Sequence, residues 1–409
     1  RDATLSGGDV VLTGGRVGSG AALSLSGATL TDSGGLRDAG STLTVAMTGA
    51  MSLTNTALRS TGNAAITAGS LSVDAASNDG GAKGLRSGGT LTVNVSGTVD
   101  NAGLIAGDDG LTLTAAQLDN ASTGLIRAGD TAPADATLTV MGAITQLGTV
   151  SSTGNMTATA TSLTNSGTVQ AGGAMTLNVG TLSNTATALQ DAYITSVGNL
   201  TIGQNNKLYN TASTAKRAII ASTAGALGIN STSGTQSTQE VRNQGGLLFG
   251  KTGMTVAVSR QLLNEVANGR RGSIYADTGT MTLGGVNQAA IDAAGSAITV
   301  KNLDSDIENR LGSINILADV FENSAASYMP SKTTTTTSRT SGTFDYDGTF
   351  DDAGDLIGVE GDCGTYGDHF DGGVVGKRCT QSVTVTKEVL TNGTSMRSKL
   401  LAGGSIDIY

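Results

Sequence analysis

A tripeptide repeats along the whole chain: a branched or aromatic apolar residue, any residue, then asparagine, as in Leu163-Thr164-Asn165. Neighbouring copies lie 14 to 33 residues apart, or 45 to 46 residues apart where one copy has decayed. Short segments that repeat at about 20 residues predict a solenoid, in which each repeat forms one turn and packs on the next. Ten copies define the repeat, and they end at Asn55, Asn101, Asn120, Asn165, Asn184, Asn210, Asn243, Asn264, Asn309 and Asn323.

The second half of each repeat alternates apolar residues with threonine, as in Leu91-Thr92-Val93 and Met175-Thr176-Leu177. Apolar residues at positions i and i+2 give a strand one inward face, and the β-branched threonines suit its outer face. The core must be narrow and built from small aliphatic residues, since the chain has no Trp and only 12 Phe and Tyr in 409 residues. We therefore predict an all-β fold, a parallel β-helix.

The repeated asparagines have a structural role if the turns stack in register. Each side-chain amide can then donate to the amide oxygen of the next turn and form a ladder along the molecule. The alternative is that these asparagines bind a ligand. We favour the ladder, because a residue that recurs once per turn marks the repeat itself.

These residues resemble the filamentous-haemagglutinin family of two-partner-secretion exoproteins. The pattern that carries the resemblance runs from Ser162 through Asn165, Gly167 and Val169 to Leu177, and it covers about four fifths of the chain. The resemblance implies a right-handed parallel β-helix that an outer-membrane secretion partner exports, through a region outside this chain. It also implies a surface filament that acts as an adhesin or as the stalk of a contact-dependent growth-inhibition system. Neither the secretion motif of the family nor a C-terminal toxin is present in this sequence.

The periodic region ends at Pro330, and a repeat pattern resumes near Lys399. We predict three segments: residues 1–329 as a β-helix of about 15 turns, residues 330–392 as an inserted β-ribbon, and residues 393–409 as a resumed turn. The two β-prone flanks of the insertion, residues 333–344 and 380–390, should pair as an antiparallel hairpin.

The insertion contains the unusual residues of the chain. Cys363 and Cys379 lie in a Gly/Asp-rich context that favours a disulfide in an oxidising compartment, with two free thiols as the alternative. The aromatic residues that we predict to contact a cell-surface partner, or else to pack as a small core, are Tyr346, Phe350, Tyr366 and Phe370. A weak calcium candidate, with a solvated acidic turn as the alternative, consists of Asp345, Asp347, Asp351 and Asp355.

The net charge and the hydropathy of the chain limit the classes of function that are possible. A net charge of −9 argues against nucleic acid as a partner, since phosphate binding needs a basic surface. No apolar run is long enough to span a membrane, and no secretory signal opens the chain, so we expect an internal piece of a longer exported protein.

The first hypothesis is a structural and interaction segment of a secreted bacterial surface filament, without cofactor or catalytic activity, that contacts a receptor of protein or glycan on a target cell. The alternative is the distal, receptor-binding stalk of a growth-inhibition toxin-delivery protein. A polysaccharide-active β-helix enzyme is a third hypothesis. We rank it last because sugar-processing sites need converging carboxylates and sugars usually stack on aromatic rings, whereas residues 1–192 contain no aromatic residue.

Overall fold

The computed structural model describes residues 1–78, 82–130, 132–203, 206–230, 238–285, 297–325 and 398–409, together with the backbone of five strands between residues 331 and 389. The chain divides into two units, Arg1–Ala326 with Met396–Tyr409, and Ser327–Ser395. The first unit is a parallel β-solenoid, which confirms the predicted fold class. Each turn places one strand on each of three faces. A 27-stranded sheet contains faces 1 and 2, and a 14-stranded sheet forms face 3.

The strands of face 1 present mainly Leu, Ile, Val, Ala and Met to the interior. They are β1 (Ala3–Ser6), β4 (Leu23–Gly27), β7 (Leu43–Met47), β10 (Ala64–Ala68), β13 (Thr90–Val95), β16 (Gly110–Ala115), β19 (Ala136–Val140), the first part of β22 (Met156–Asn165), the first part of β24 (Met175–Thr185), β26 (Leu200–Gly203), β29 (Leu227–Ile229), β32 (Met254–Ala257), β35 (Met281–Gly284), β38 (Ile314–Leu317) and β46 (Ile406–Ile408).

The strands of face 2 follow those of face 1 within each turn. They are β2 (Asp9–Thr13), β5 (Thr29–Ser33), β8 (Ala50–Thr54), β11 (Ser70–Val73), β14 (Thr98–Asn101), β17 (Gln117–Asn120), β20 (Ala143–Gln146), the later parts of β22 and β24, β27 (Lys207–Thr211), β30 (Glu240–Gln244), β33 (Gln261–Glu265), β36 (Thr299–Leu303) and β39 (Val320–Ser324).

Face 3 closes each turn. Its strands are β3 (Arg16–Ser19), β6 (Leu36–Ala39), β9 (Ala57–Ser60), β12 (Gly84–Ser87), β15 (Leu104–Gly107), β18 (Leu125–Ala128), β21 (Thr149–Ser152), β23 (Thr168–Ala171), β25 (Ala192–Ser196), β28 (Ala218–Ser222), β31 (Leu247–Gly250), β34 (Ser273–Ala276), β37 (Asp306–Asn309) and β45 (Lys399–Ala402).

Consecutive turns stack in register, so equivalent positions form columns along the solenoid. Leu177 of β24, for example, pairs with Ala158 of β22 and with Ile202 of β26, and all three side chains are buried. Each buried Leu, Ile, Val or Met side chain contributes roughly 1.5–3 kcal/mol by its removal from water. The core is therefore a continuous column of aliphatic residues, and its width is set by one turn.

Several of the longer loops lie at the corner between faces 2 and 3, here called corner 2. A short 3₁₀ helix, Ala75–Ser77, lies in one of them, capped by Asp74, whose Oδ1 accepts a hydrogen bond from the Ser77 amide at 3.0 Å. In chain order, the second unit lies between β39 of face 2 and β45 of face 3.

The second unit contains antiparallel strands. Strand β40 (Ser331–Arg339) pairs with β44 (Gln381–Val389), which gives the β-hairpin expected from the sequence. Three shorter strands, β41 (Thr343–Phe344), β42 (Cys363–Thr365) and β43 (Lys377–Cys379), form a sheet in the order β41-β43-β42.

Candidate functional site

A column of buried amide side chains lies inside corner 2. The side chains of Asn165 and Asn184 are fully buried, and Nδ2 of the first donates to Oδ1 of the second at 2.7 Å. The same bond joins the following turns at 2.8 Å each, through Asn210, Asn243, Asn264, Asn302 and Asn323. A second run joins Asn101 to Asn120 and Asn120 to Gln146, at 2.7 Å each.

The amides also satisfy the backbone of the corner. Asn165 Nδ2 lies 3.2 Å from the carbonyl oxygen of Gly167 in its own turn and 3.1 Å from that of Tyr193 in the next turn. Its Oδ1 accepts from the Gly167 amide at 3.2 Å. The sequence Asn-x-Gly thus closes the corner, and a Cβ on Gly167 would lie only 2.2 Å from the Gly148 carbonyl oxygen of the preceding turn. These amides are committed to internal hydrogen bonds and serve as structural elements.

Two residues of the ladder were missing from the ten sequence copies. Val300-Lys301-Asn302 carries the same tripeptide, and Asn302 donates to Asn323 at 2.8 Å. Gln146 follows Ile144 and Thr145 in the same pattern, with a longer amide at the third position. The Nε2 of Gln146 donates to the Thr168 carbonyl oxygen of the next turn at 3.1 Å. The next series of asparagine-to-asparagine bonds begins in that turn, with the bond from Asn165 to Asn184. Allowing glutamine at this position would have identified it from the sequence.

Asn55 lies outside the ladder. The register of β8 places Leu53 opposite Asp32 of the preceding turn and opposite Val73 of the following one, so the ladder position of this turn is apolar. Asn55 is exposed at the corner in a left-handed conformation (φ 51°), and its Oδ1 accepts from Lys83 Nζ at 2.8 Å.

Asn309 belongs to face 3, which explains why it precedes Asn323 by only 14 residues. It is buried at the corner between faces 3 and 1, where Nδ2 donates to the carbonyl oxygens of Gly279 at 2.9 Å and Ser313 at 2.8 Å. Serines of earlier turns occupy the same column, and Ser196 there donates to the Gly198 carbonyl oxygen at 2.7 Å. The exposed Asn323 is the last amide of the corner-2 ladder among the described turns.

A buried ion pair replaces the ladder near the N-terminus. Asp32 takes the ladder position of its turn, and its Oδ1 accepts from Arg37 Nη2 at 2.7 Å, with side chains 0% and 1% exposed. The Arg37 guanidinium also contacts the carbonyl oxygens of Gly14, Gly15 and Leu36. Burial raises the pKa of the Asp32 carboxyl above its ordinary value, against the opposing effect of the Arg37 charge.

Charged residues line the outside of face 3 and the adjoining corner in vertical pairs. Asp277 contacts Lys251 of the preceding turn and Arg310 of the following one. These two hydrogen bonds hold the pKa of the Asp277 carboxyl below its ordinary value. The pairs link turns in the same manner as the amide ladder, on the outer surface.

A shallow groove of about 330 Å³ follows the outside of face 2 near corner 2. Asp74, Asp100 and Asp119 line it, with Thr145 and Leu147 at one end. Asp100 and Asp119 are register neighbours on β14 and β17. Partial burial raises the pKa of the Asp100 carboxyl, and the nearby Asp119 charge raises it further. Within the described part of the chain, no three or more His, Cys, Asp or Glu residues are grouped so that they could hold a metal ion.

Aromatic residues also occur on the solenoid. Phe249 and Tyr275 are register neighbours on face 3, and their rings stack with centroids 5.6 Å apart and planes 16° apart. Because the two residues belong to consecutive turns, the stacked rings link β31 to β34 on the solenoid.

The residues predicted to contact a partner, Tyr346, Phe350, Tyr366 and Phe370, lie outside the described residues, as do the calcium candidates Asp345, Asp347, Asp351 and Asp355. Cys363 and Cys379 are directly opposite each other in the register of the antiparallel strands β42 and β43. The disulfide between them stays a prediction.

The comparisons with known proteins returned no match to a family model, to a curated protein or to a solved structure. In the described part of the chain, no helix has the length and apolar character needed to cross a membrane.

Proposed function

We propose that this chain is the structural and interaction segment of a secreted bacterial surface filament, and that it mediates contact with a target cell. The observation that carries the proposal is the fold: a parallel β-solenoid whose turns are joined by buried amides. Because each turn contacts chiefly its neighbours, such a scaffold extends without widening and carries insertions at its corners. The resemblance to filamentous-haemagglutinin exoproteins supports the extracellular setting and an outer-membrane secretion partner.

The inserted unit is the proposed contact element. It interrupts the solenoid between β39 and β45 and contains the four aromatic residues Tyr346, Phe350, Tyr366 and Phe370. Aromatic side chains are enriched among residues that dominate binding energy, whereas the outer strand positions of face 1 are mostly Thr, Ser, Ala and Asn. A partner of this unit is a protein or glycan receptor on the surface of another cell.

A deletion tests the proposal. Replacement of residues 340–378 by a short Gly/Ser turn should keep the β-sheet circular dichroism spectrum, because the strands β40 and β44 and the whole solenoid remain. Fluorescently labelled protein should bind target cells in flow cytometry, and the deletion should abolish that binding. The matched control replaces the exposed tip residue Leu189, which is 89% exposed on corner 2, with serine and should bind fully. Full binding by the deletion variant would place the site on the solenoid loops, with residues 211–240 the next segment to replace.

The same assay separates the two settings of the filament. Binding to related bacteria and not to eukaryotic cells favours the receptor-binding stalk of a growth-inhibition system. Binding to eukaryotic cells or to extracellular matrix favours an adhesin. Absence of binding to every cell type tested would contradict the proposed function in both forms.

One observation favours the enzymatic alternative enough to define its test. The groove is lined by three carboxyl groups, those of Asp74, Asp100 and Asp119, and glycoside-cleaving sites use a pair of carboxyl groups. A screen on a panel of acidic glycans, with Asp100→Asn and Asp119→Asn as variants, would detect it. Activity in the wild type that either variant abolishes would replace the binding function with catalysis.

A further inference from the structure

Face 1 presents a regular array of threonine side chains to solvent. One outward column contains threonine in six consecutive turns, at Thr92, Thr112, Thr137, Thr157, Thr176 and Thr201, each paired in register with the next. A second column, two residues further along each strand, contains Thr114, Thr139 and Thr159 in consecutive turns, between Asn94 and Asn178. Three adjacent turns thus carry the complete sequence Thr-x-Thr.

The fold fixes the spacing of this array. Hydrogen-bonded strands lie about 4.8 Å apart, and residues i and i+2 of a strand are about 6.6 Å apart. The β-branched threonine side chain has a restricted χ1 angle, so its methyl and hydroxyl groups repeat with the backbone. The result is a two-dimensional lattice of hydroxyl groups, with methyl groups between them. Its shorter spacing is close to the shorter repeat of hexagonal ice, and its longer spacing is somewhat smaller than the longer repeat.

The chemistry of the face is neutral. From β4 to β35, no outward position of the face 1 strands carries a charged side chain, although the chain has 24 Lys and Arg and 33 Asp and Glu. Outward positions of face 2 carry Asp100, Asp119 and Arg242, and those of face 3 carry Arg86 and Arg127. Acidic residues border the array at the corner between faces 3 and 1, at Asp108, Asp109, Asp130 and Asp135. A neutral face matches a neutral lattice of water, since charged groups impose their own hydration geometry.

The hydroxyl groups are available to water. Among the hydrogen bonds formed between described residues, none uses the hydroxyl of Thr112, Thr137, Thr139, Thr157 or Thr159. The side chains of these five residues are exposed or half-buried. Sugar ligands are a poorer fit, because this array lacks the aromatic platform on which sugars stack.

We propose that face 1, from β13 to β26, binds ice through its threonine lattice. The occupant is an ordered layer of water that continues into an ice surface, held by hydroxyl groups and by methyl groups that fill the spaces between water molecules. This activity is separate from the cell contact assigned to the inserted unit, and it would attach the filament to ice. Because only three adjacent turns carry threonine in both columns, we expect inhibition of ice recrystallisation and a small thermal hysteresis.

Two variants of one strand test the proposal. Thr159→Lys places a charge in the array on face 1, and Thr164→Lys places the same charge on face 2, at an exposed position of the same strand β22. The wild-type chain should inhibit recrystallisation and shape growing ice crystals. Thr159→Lys should lose both effects, and Thr164→Lys should retain them. Circular dichroism and thermal unfolding of all three proteins show whether each remains folded.

Three results would overturn the proposal. The first is a folded wild-type chain without effect on ice growth. The second is equal ice activity in the two lysine variants. The third is a wild-type dimer, measured by light scattering, that Thr159→Lys converts to a monomer in the absence of ice activity, since face 1 would then be an interface between two copies of the chain.

Discussion

Asn165 donates from Nδ2 to Oδ1 of Asn184 across 2.7 Å, with both side chains removed from solvent. The bond joins two consecutive turns at the position where face 2 meets corner 2. It is one of a series of such bonds, and each also brings the amide close to the carbonyl oxygens of its own and the next turn. The series makes the corner a hydrogen-bonded interior, although the surrounding core is aliphatic.

The first prediction concerns this series. Asn165→Leu removes a donor from the Gly167 and Tyr193 carbonyl oxygens and from Asn184 Oδ1. Buried polar groups without partners cost about 1–3 kcal/mol. We expect a decrease of that size in the free energy of unfolding, measured by urea titration, and faster hydrogen exchange in the adjacent turns. The control is Asn94→Leu, which changes an exposed outward residue of strand β13 outside the ladder and should have little effect. Equal losses in the two variants would contradict the account.

The second prediction concerns the buried ion pair. Asp32 lies between Leu12 and Leu53 in its column, and Arg37 lies between Val17 and Leu58 in another, so leucine fits both positions. Replacement of both residues by leucine should leave the stability unchanged or increase it by roughly 1–4 kcal/mol. Arg37→Leu alone should cost about 3–5 kcal/mol, because Asp32 is then a buried charge without a partner.

The pH dependence of the second prediction follows from the pKa. Burial raises the pKa of Asp32 in the folded state above its ordinary value of 3.8, so the folded protein binds this proton more tightly than the unfolded chain does. Its contribution to stability is therefore present in acid and is lost as the pH rises through the folded-state pKa. The advantage of the double leucine variant should be larger at pH 7 than at pH 3. An advantage that grows on acidification would contradict this assignment.

The third prediction concerns the outer charge pairs. Hydrogen bonds from Lys251 and Arg310 lower the pKa of Asp277 below 3.8 in the folded state. The stability it contributes is present above that value and is lost as the pH falls through the folded-state pKa. Asp277→Asn should lower the thermal unfolding temperature at pH 7, and the difference from wild type should disappear in strong acid. A difference that does not depend on pH would show that the carboxylate charge is not responsible.

The fourth prediction concerns the disulfide. Cys363 and Cys379 are opposite each other in the register of two antiparallel strands, and a disulfide between them would close a loop of about 15 residues, which contributes roughly 3 kcal/mol in the chain-entropy model. Mass spectrometry of the unreduced protein should show both cysteines blocked to alkylation. Cys379→Ser should make the inserted unit more sensitive to protease and leave the solenoid resistant, because solenoid turns interact chiefly with their neighbours. Cooperative melting of the whole chain on reduction would contradict this independence.

Much of the solenoid follows from local sequence. The alternation in Leu91-Thr92-Val93 predicts β13 because inward and outward residues differ in polarity at a period of two. The inserted hairpin of β40 and β44 was also predictable, from β-prone flanks and the resumed repeat at Lys399. For the candidate contact residues Tyr346, Phe350, Tyr366 and Phe370, the sequence gives only the residue types and their positions in the chain. These four residues lie outside the described part of the structure.

The sequence by itself determined the strands, the repeat and the chemistry of the corners, because these depend on alternation and on turn residues within a few positions. Only the tertiary structure decided which residue of each turn enters the ladder. Leu53 takes the position that the tripeptide suggested for Asn55, and Asn309 lies on a different face from Asn302. Arg37 lies inside a column that is otherwise aliphatic. Register is the physical reason: each strand is placed by its pairing with the turns before and after it, and that pairing joins residues about 20 to 40 positions apart.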